Sequence, residues 1–171
     1  IPVVAVFASS DGYTAIGTAA EFEALMKDSA KWNGKYRLTA DIDLSSVCHP
    51  ADAKNNVEEV SWIPIGKDKE ASWYGTFDGC GHTISNLYYT INSYAGLFGH
   101  IKGKNGNPGT IKNIIFTNVF IDSTWSGDRA GAVASYAQYI NISGIAVESG
   151  QIKGCISTGG IVGYSQYGNI S

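Results

Sequence analysis

Asp78 and His82 stand four residues apart in Asp78-Gly-Cys-Gly-His82, and an aspartate beside a histidine is the pairing that orients a general base. The intervening Gly-Cys-Gly reads as a tight turn in which aspartate caps its own backbone, so a turn role is expected instead. Asp41 and Asp43 lie two apart on an alternating segment and share a face, where paired carboxylates serve acid/base work or hold calcium. A solvated strand face is the simpler reading. Asp122 and Asp128 flank Trp125 in a polar insertion, a grouping of carboxylates and a sugar platform that suits polysaccharide cleavage and makes the best enzymatic candidate. His49, His82 and His100 are scattered without a His-Glu-x-x-His spacing, so neither a metallopeptidase centre nor a zinc ligand set is expected. The stretch from Gly99 to Gly109 carries Lys102 and Lys104 but lacks the Gly-Lys-Ser/Thr ending of a phosphate loop, and reads as a hairpin-like corner. The expectation is a non-catalytic chain with no metal and no cofactor.

The elements that must carry these residues follow from composition and period. The chain has 171 residues, 44% hydrophobic and 16% charged, a balance that fits one globular domain with a core. Twelve basic against fifteen acidic side chains give a net charge of -3, without the basic excess that nucleic acid requires. The longest apolar run, Ile1 to Ala8, is far short of the roughly 20 residues of a membrane-spanning helix. That run reads either as the remnant of a leader ending in Val-x-Ala or as an ordered strand, which sets residues 1–13 apart from a domain at 14–171. Both readings favour export, to the medium or the cell surface. Cys48, Cys80 and Cys155 form no Cys-x-x-Cys pair; a disulfide between Cys48 and Cys80, or three buried reduced thiols, are both open. Asn141 and Asn169 head Asn-x-Ser sequons that permit glycosylation in an exported protein.

Thr18-Ala-Ala-Glu21 has capping-box spacing, and Phe22, Leu25, Met26 and Ala30 follow on one stripe, predicting an amphipathic helix over about 19–29 that ends at Asn33-Gly34. From Lys35 the period drops to two, with Tyr36, Leu38, Ala40, Ile42 and Leu44 alternating against polar residues, which predicts a half-buried strand. Residues 45–60 read as a surface loop, and beyond them come short apolar pieces divided by glycines.

Self-comparison is more informative. Ala95-Gly-Leu-Phe-Gly99, Ala130-Gly-Ala-Val-Ala134 and Gly159-Gly-Ile-Val-Gly163 repeat one pattern. Ile111, Ile114 and Ile121 recur 31 positions later as Ile142, Ile145 and Ile152, and Tyr136-Ala-Gln-Tyr139 recurs 28 later as Tyr164-Ser-Gln-Tyr167. A period of about 30 with short strands and glycine corners predicts an all-β solenoid, a parallel β-helix whose isoleucines stack in ladders, with the helix as its N-terminal cap.

The ordered set Tyr36-Arg-Leu-Thr-Ala-Asp-Ile-Asp-Leu44, Trp62-Ile-Pro-Ile-Gly66, Gly75-Thr-Phe-Asp-Gly79, Gly81-His-Thr-Ile-Ser-Asn-Leu87 and Ala95-Gly-Leu-Phe-Gly99 resembles the GLUG-motif β-helix surface proteins. Gly109-Thr-Ile-Lys-Asn113 and Gly159-Gly-Ile-Val-Gly-Tyr164 continue the likeness, which covers residues 14–171. Such modules also form the N-terminal β-helix region of the immunoglobulin A metallopeptidases. The resemblance implies a right-handed parallel β-helix, exported, serving as a segment of an adhesin or stalk. Cys80, where asparagine is common, and Ala134, in place of a repeat glycine, depart from the pattern.

Two surfaces are candidates for partners. Trp73-Tyr74 and Tyr88-Tyr89 each turn one ring outward by strand alternation, and with Trp125 they offer contacts to cell-surface sugars or proteins; aromatic stacking along the outer sheet is the alternative. Gly168-Asn-Ile-Ser171 begins another copy of Ile140-Asn-Ile-Ser143, so an open edge at Ile170 is expected. Ile1, Val3, Val4, Val6 and Phe7 are candidates to add as a strand to that edge on a second copy, giving a head-to-tail filament; a segment of a longer solenoid is the alternative.

Overall fold

The computed structural model describes residues 11–91, 93–123, 129–154 and 156–171. Ile1, Val3, Val4, Val6, Phe7, Trp125, Asp128 and Cys155 lie outside the described residues, and with them the expectations for an N-terminal strand and a polar insertion.

Strand β1 (Thr14–Ile16) leads into helix α1 (Ala19–Lys27). The capping box is formed: Glu21 N donates to Thr18 Oγ1 at 3.2 Å, and Glu21 Oε2 accepts from Thr18 N at 3.1 Å. The helix stops two residues short of the expected end because Asp28 Oδ1 accepts from Ala30 N and tightens the chain into a 3-10 turn, Ser29–Lys31. Its stripe of Phe22, Leu25 and Met26 is buried. Phe22 stacks on Trp62 with centroids 5.6 Å apart and packs on Phe77 at the same distance, burial that contributes about 2–3 kcal/mol.

The single strand expected over 36–44 is two, β2 (Lys35–Leu38) and β3 (Ile42–Asp43). The break falls where Asp41 turns its carboxylate to accept from Thr83 N at 2.8 Å, so the halves pair with different strands. A 3-10 turn, Leu44–Ser46, opens the loop, which is less irregular than its composition suggests: His49 bridges Val60 and Asp52 bridges Val57, both antiparallel.

The remaining strands are β4 (Thr76–Asp78), β5 (Thr83–Ser85), β6 (Tyr88–Tyr89), β7 (Phe98–Lys102), β8 (Gly109–Thr117), β9 (Val119–Asp122), β10 (Arg129–Ala130), β11 (Ala134–Gln138), β12 (Ile140–Val147), β13 (Gly150–Lys153), β14 (Ser157–Thr158), β15 (Val162–Gln166) and β16 (Asn169–Ile170). All pair in parallel. The largest sheet runs β1-β2-β4-β8-β12-β16, with β3 and β5 joined to it through β8; the others are β7-β11-β15, β6-β9-β13 and β10-β14. From β8 onward the chain visits these sheets in a fixed order and then visits them again.

Register is set by like residues. Ile111 pairs with Ile142, Ile114 with Ile145, Ile121 with Ile152 and Tyr136 with Tyr164, as the repeats predict. One row crosses the whole main sheet as Thr14, Tyr36, Phe77, Ile111, Ile142 and Ile170. Its members from Tyr36 to Ile142 are buried, whereas Ile170 is 43% exposed. The corner between β7 and β8 is the expected hairpin, with Lys104 bridging Asn107.

Candidate functional site

Each described carboxylate singled out in the sequence holds a turn or a neighbouring strand. Asp78 Oδ1 accepts from Cys80 N at 2.9 Å, closing its own turn, and from Asn113 Nδ2 at 3.0 Å, while Lys112 lies 3.1 Å from Oδ2. Partial burial raises its pKa, but the Cys80 amide, Asn113 and Lys112 outweigh that and leave it below the ordinary value. His82 points elsewhere, its Nδ1 3.2 Å from Asp41 Oδ1, a partner 41 positions away that spacing did not suggest. The Thr83 amide first, and His82 second, depress the Asp41 pKa. Asp43 accepts from Asn86 Nδ2 at 2.7 Å and Ser45 N at 2.9 Å, and these bonds lower its pKa in turn. Asp41 and Asp43 therefore serve separate corners instead of one site. Asp122 forms an ion pair with Lys153 at 3.2 Å across neighbouring strands. Among the described residues no group of three His, Cys, Asp or Glu is assembled to hold a metal ion.

The cysteine alternatives are narrowed. Cys48 and Cys80 are free thiols, which removes the disulfide drawn between them. Cys48 is buried, accepts from Tyr88 N at 3.4 Å and donates to Asn86 O at 3.5 Å, and burial pushes its pKa up to about 11. Cys80 is exposed and not a buried thiol, because it occupies the tip of the Asp78 turn with φ 53°.

The tandem aromatics divide as alternation requires. Tyr74 is 47% exposed and Tyr88 half-buried, whereas Trp73 and Tyr89 are fully buried. Trp73 and Tyr89 are thereby withdrawn as surface contacts: Trp73 packs between Tyr36 and Phe98, at 5.6 and 5.2 Å, and Tyr89 is paired with buried Ile121. Tyr88 stacks on Phe120 at 5.2 Å and donates its hydroxyl to Glu59 Oε2 at 3.2 Å. Asn141 and Asn169 are exposed, paired side by side on β12 and β16.

The outer face of β7-β11-β15 holds what the sequence reading listed without assembling. His100 stacks on Tyr136 with centroids 4.6 Å apart and planes 6° apart, and Tyr136 stacks on Tyr164 at 5.1 Å. Tyr94 meets His100 edge-on at 5.7 Å. Ser72 Oγ lies 2.7 Å from His100 Nδ1. Burial first, and Lys102 second, lower the His100 pKa, while Asp68 pulls it the other way. Arg129 lies beside both tyrosines, 5.6 Å from the Tyr136 centroid and 5.1 Å from that of Tyr164. The signal was present in the repeat of Tyr136-Ala-Gln with Tyr164-Ser-Gln; nothing in the spacing marked His100 as its continuation or Arg129 as its neighbour. Chemically, this face offers cations, amides and ring edges, groups suited to binding.

No family model matches the chain, and no solved structure matches it. Over 157 residues, 91% of its length, the chain is 28% identical to a protein named Halomucin from the archaeon Haloquadratum walsbyi. The matched region is 2% of Halomucin, so the chain corresponds to a small part of that protein.

Proposed function

We propose that the chain is a non-catalytic extracellular module of structural and adhesive role, built as a right-handed parallel β-helix of the GLUG-motif kind with α1 as its cap. The observation that carries this reading is the row Tyr36, Phe77, Ile111, Ile142 and Ile170, in register across five parallel strands. Ile156, Tyr167 and Ile170 are exposed on the late strands and turns. Exposed apolar side chains beside parallel strands are a surface on which another parallel unit stacks. The occupant is a second copy, adding its apolar segment 1–7 head to tail and building a filament. The likeness to a protein named as a mucin supports placement outside the cell, and among the described residues no helix is long and apolar enough to cross a membrane. Asp41, Asp43, Asp78 and Asp122 are engaged in corners and an ion pair, which favours a structural role for those four residues.

The test is light scattering and negative-stain microscopy of the chain with and without residues 1–7. Filaments that vanish on truncation are expected. Monomers in both samples overturn the assembly.

A further inference from the structure

On the face that carries His100, Tyr136 and Tyr164, a second row lies two residues on: Lys102, Gln138 and Gln166. Alternation puts both rows on one side of the sheet, with strands about 4.8 Å apart and rows about 6.8 Å apart. The Tyr136 and Tyr164 centroids are 5.1 Å apart, and the Arg129 guanidinium is about as far from each. The cation thus lies against the seam between the rings.

Three features of this face point outward. First, neither Arg129 nor Lys102 has a carboxylate partner among the described residues, although the chain as a whole is acidic, and Arg129 Nε is buried there without a hydrogen-bond acceptor. A half-buried guanidinium without a counter-ion is costly, and an anion that docks against it relieves that cost. Second, Tyr136 Oη and Gln138 Nε2 both donate to Gln166 Oε1, at 3.0 and 3.3 Å, which fixes the Gln166 amide and leaves its nitrogen to donate to a ligand. Third, Tyr164 stacks on Tyr136 and is 39% exposed, a platform for the C–H face of a ring.

We propose that this face binds an acidic saccharide, its carboxylate or sulfate held by Arg129 and Lys102, its hydroxyls by Gln166 and its ring against Tyr164. The fork of Arg129 matches a planar carboxylate or a sulfate in two parallel bonds, and Lys102 adds a point charge along the chain. A nucleic acid is disfavoured, since two local cations on a chain of net charge -3 neutralise too few phosphates. The proposal deepens the adhesive part of the reading above and does not depend on assembly.

The test is calorimetric titration of the full chain with hyaluronan oligosaccharides, which carry only carboxylates, with dextran sulfate, and with neutral dextran, while light scattering on the same samples reads assembly. Binding of at least one acidic polymer and none of dextran is expected, weakening as salt rises. Binding of hyaluronan alone, or of dextran sulfate alone, names the anion. Lys102→Glu, at an exposed and unpaired position, reduces affinity about tenfold or more, and Arg129→Gln does the same with a smaller salt dependence. Equal affinity for dextran, an acidic-polymer affinity that Lys102→Glu leaves unchanged, or no binding to any of the three overturns the proposal. A monomer that binds acidic polymer separates this inference from the assembly, and a filament that binds none does the reverse.

Discussion

Asn118 donates its side-chain amide to Asn86 Oδ1 at 2.6 Å, across 32 residues of chain. Asn86 passes its own amide to Asp43 Oδ1 at 2.7 Å, and Asn118 N reaches Ser149 Oγ at 2.9 Å, so four successive passes of the chain are tied at one corner. Both asparagines hold left-handed backbone, with φ 60° and 50°. Asparagine tolerates that region better than other residues with a Cβ and bonds its neighbours as well, which explains its place at these corners.

Replacing Asn86 by alanine removes the corner bonds and places an ordinary Cβ in the left-handed region. The expected cost is about 2–3 kcal/mol in urea denaturation. Asn86→Gly loses the same bonds but relaxes the backbone, and about half that loss is expected. Equal losses would show that side-chain bonding alone sets the corner.

At Gly103 a Cβ would run into the carbonyl oxygen of Tyr139 on the neighbouring pass and come within 2.7 Å of Gly109 N across its own corner, both backbone atoms. Gly103→Ala must spread the strands, and a loss above about 3 kcal/mol is expected. Gly81 has φ 80° and open space around the same position, so Gly81→Ala meets only backbone strain, about 1 kcal/mol. Thermal melts of the two variants side by side check the contrast.

Stability falls in two stages as pH is lowered. Burial holds the His100 pKa below its ordinary value, so the unfolded chain takes the proton first and stability declines as pH drops through about 6.5 toward the folded pKa. Asp41, Asp43 and Asp78 have folded pKa values below the ordinary one; their stabilisation is present above about 4 and is lost as pH falls through those lowered values. In His100→Phe, which keeps an aromatic ring against Tyr136, the upper stage disappears and the lower one remains. Melting temperatures between pH 7.5 and 3 read both.

Cys80 reacts with maleimide in the folded chain, while Cys48 reacts only on unfolding, because the thiolate is the nucleophile and burial keeps Cys48 a thiol to about pH 11. Peptide mapping after labelling in buffer and in denaturant separates the two. Modification of Cys48 in the native chain would contradict its burial.

The parallel pairing was legible because stacking like on like writes itself into the sequence. A strand that meets its neighbour one repeat away must present the same residue type at the same offset, so Ile111 and Ile142, or Tyr136 and Tyr164, reveal their contact by recurrence. The helix start was legible for a local reason, since Thr18 and Glu21 satisfy amides within one turn. Recurrence is blind to small shifts, however: Ala130-Gly-Ala-Val-Ala134 matches Gly159-Gly-Ile-Val-Gly163 at an offset of 29, yet Ala134 pairs with Val162 at 28.

By itself, then, the sequence determined the period, the parallel ladders, the capping box that starts α1 and the division of each aromatic pair into one ring in and one ring out. Only the tertiary structure decided that Trp73 and Tyr89 are the inward rings, that Asp41 serves His82 and Thr83, that Cys48 stays unpaired, and that His100, Tyr136, Tyr164 and Arg129 share a face. The physical reason is range. Capping, alternation and self-stacking act within a turn or at a constant offset, and leave a pattern; a contact between unlike side chains tens of residues apart depends on where each corner turns, and leaves none.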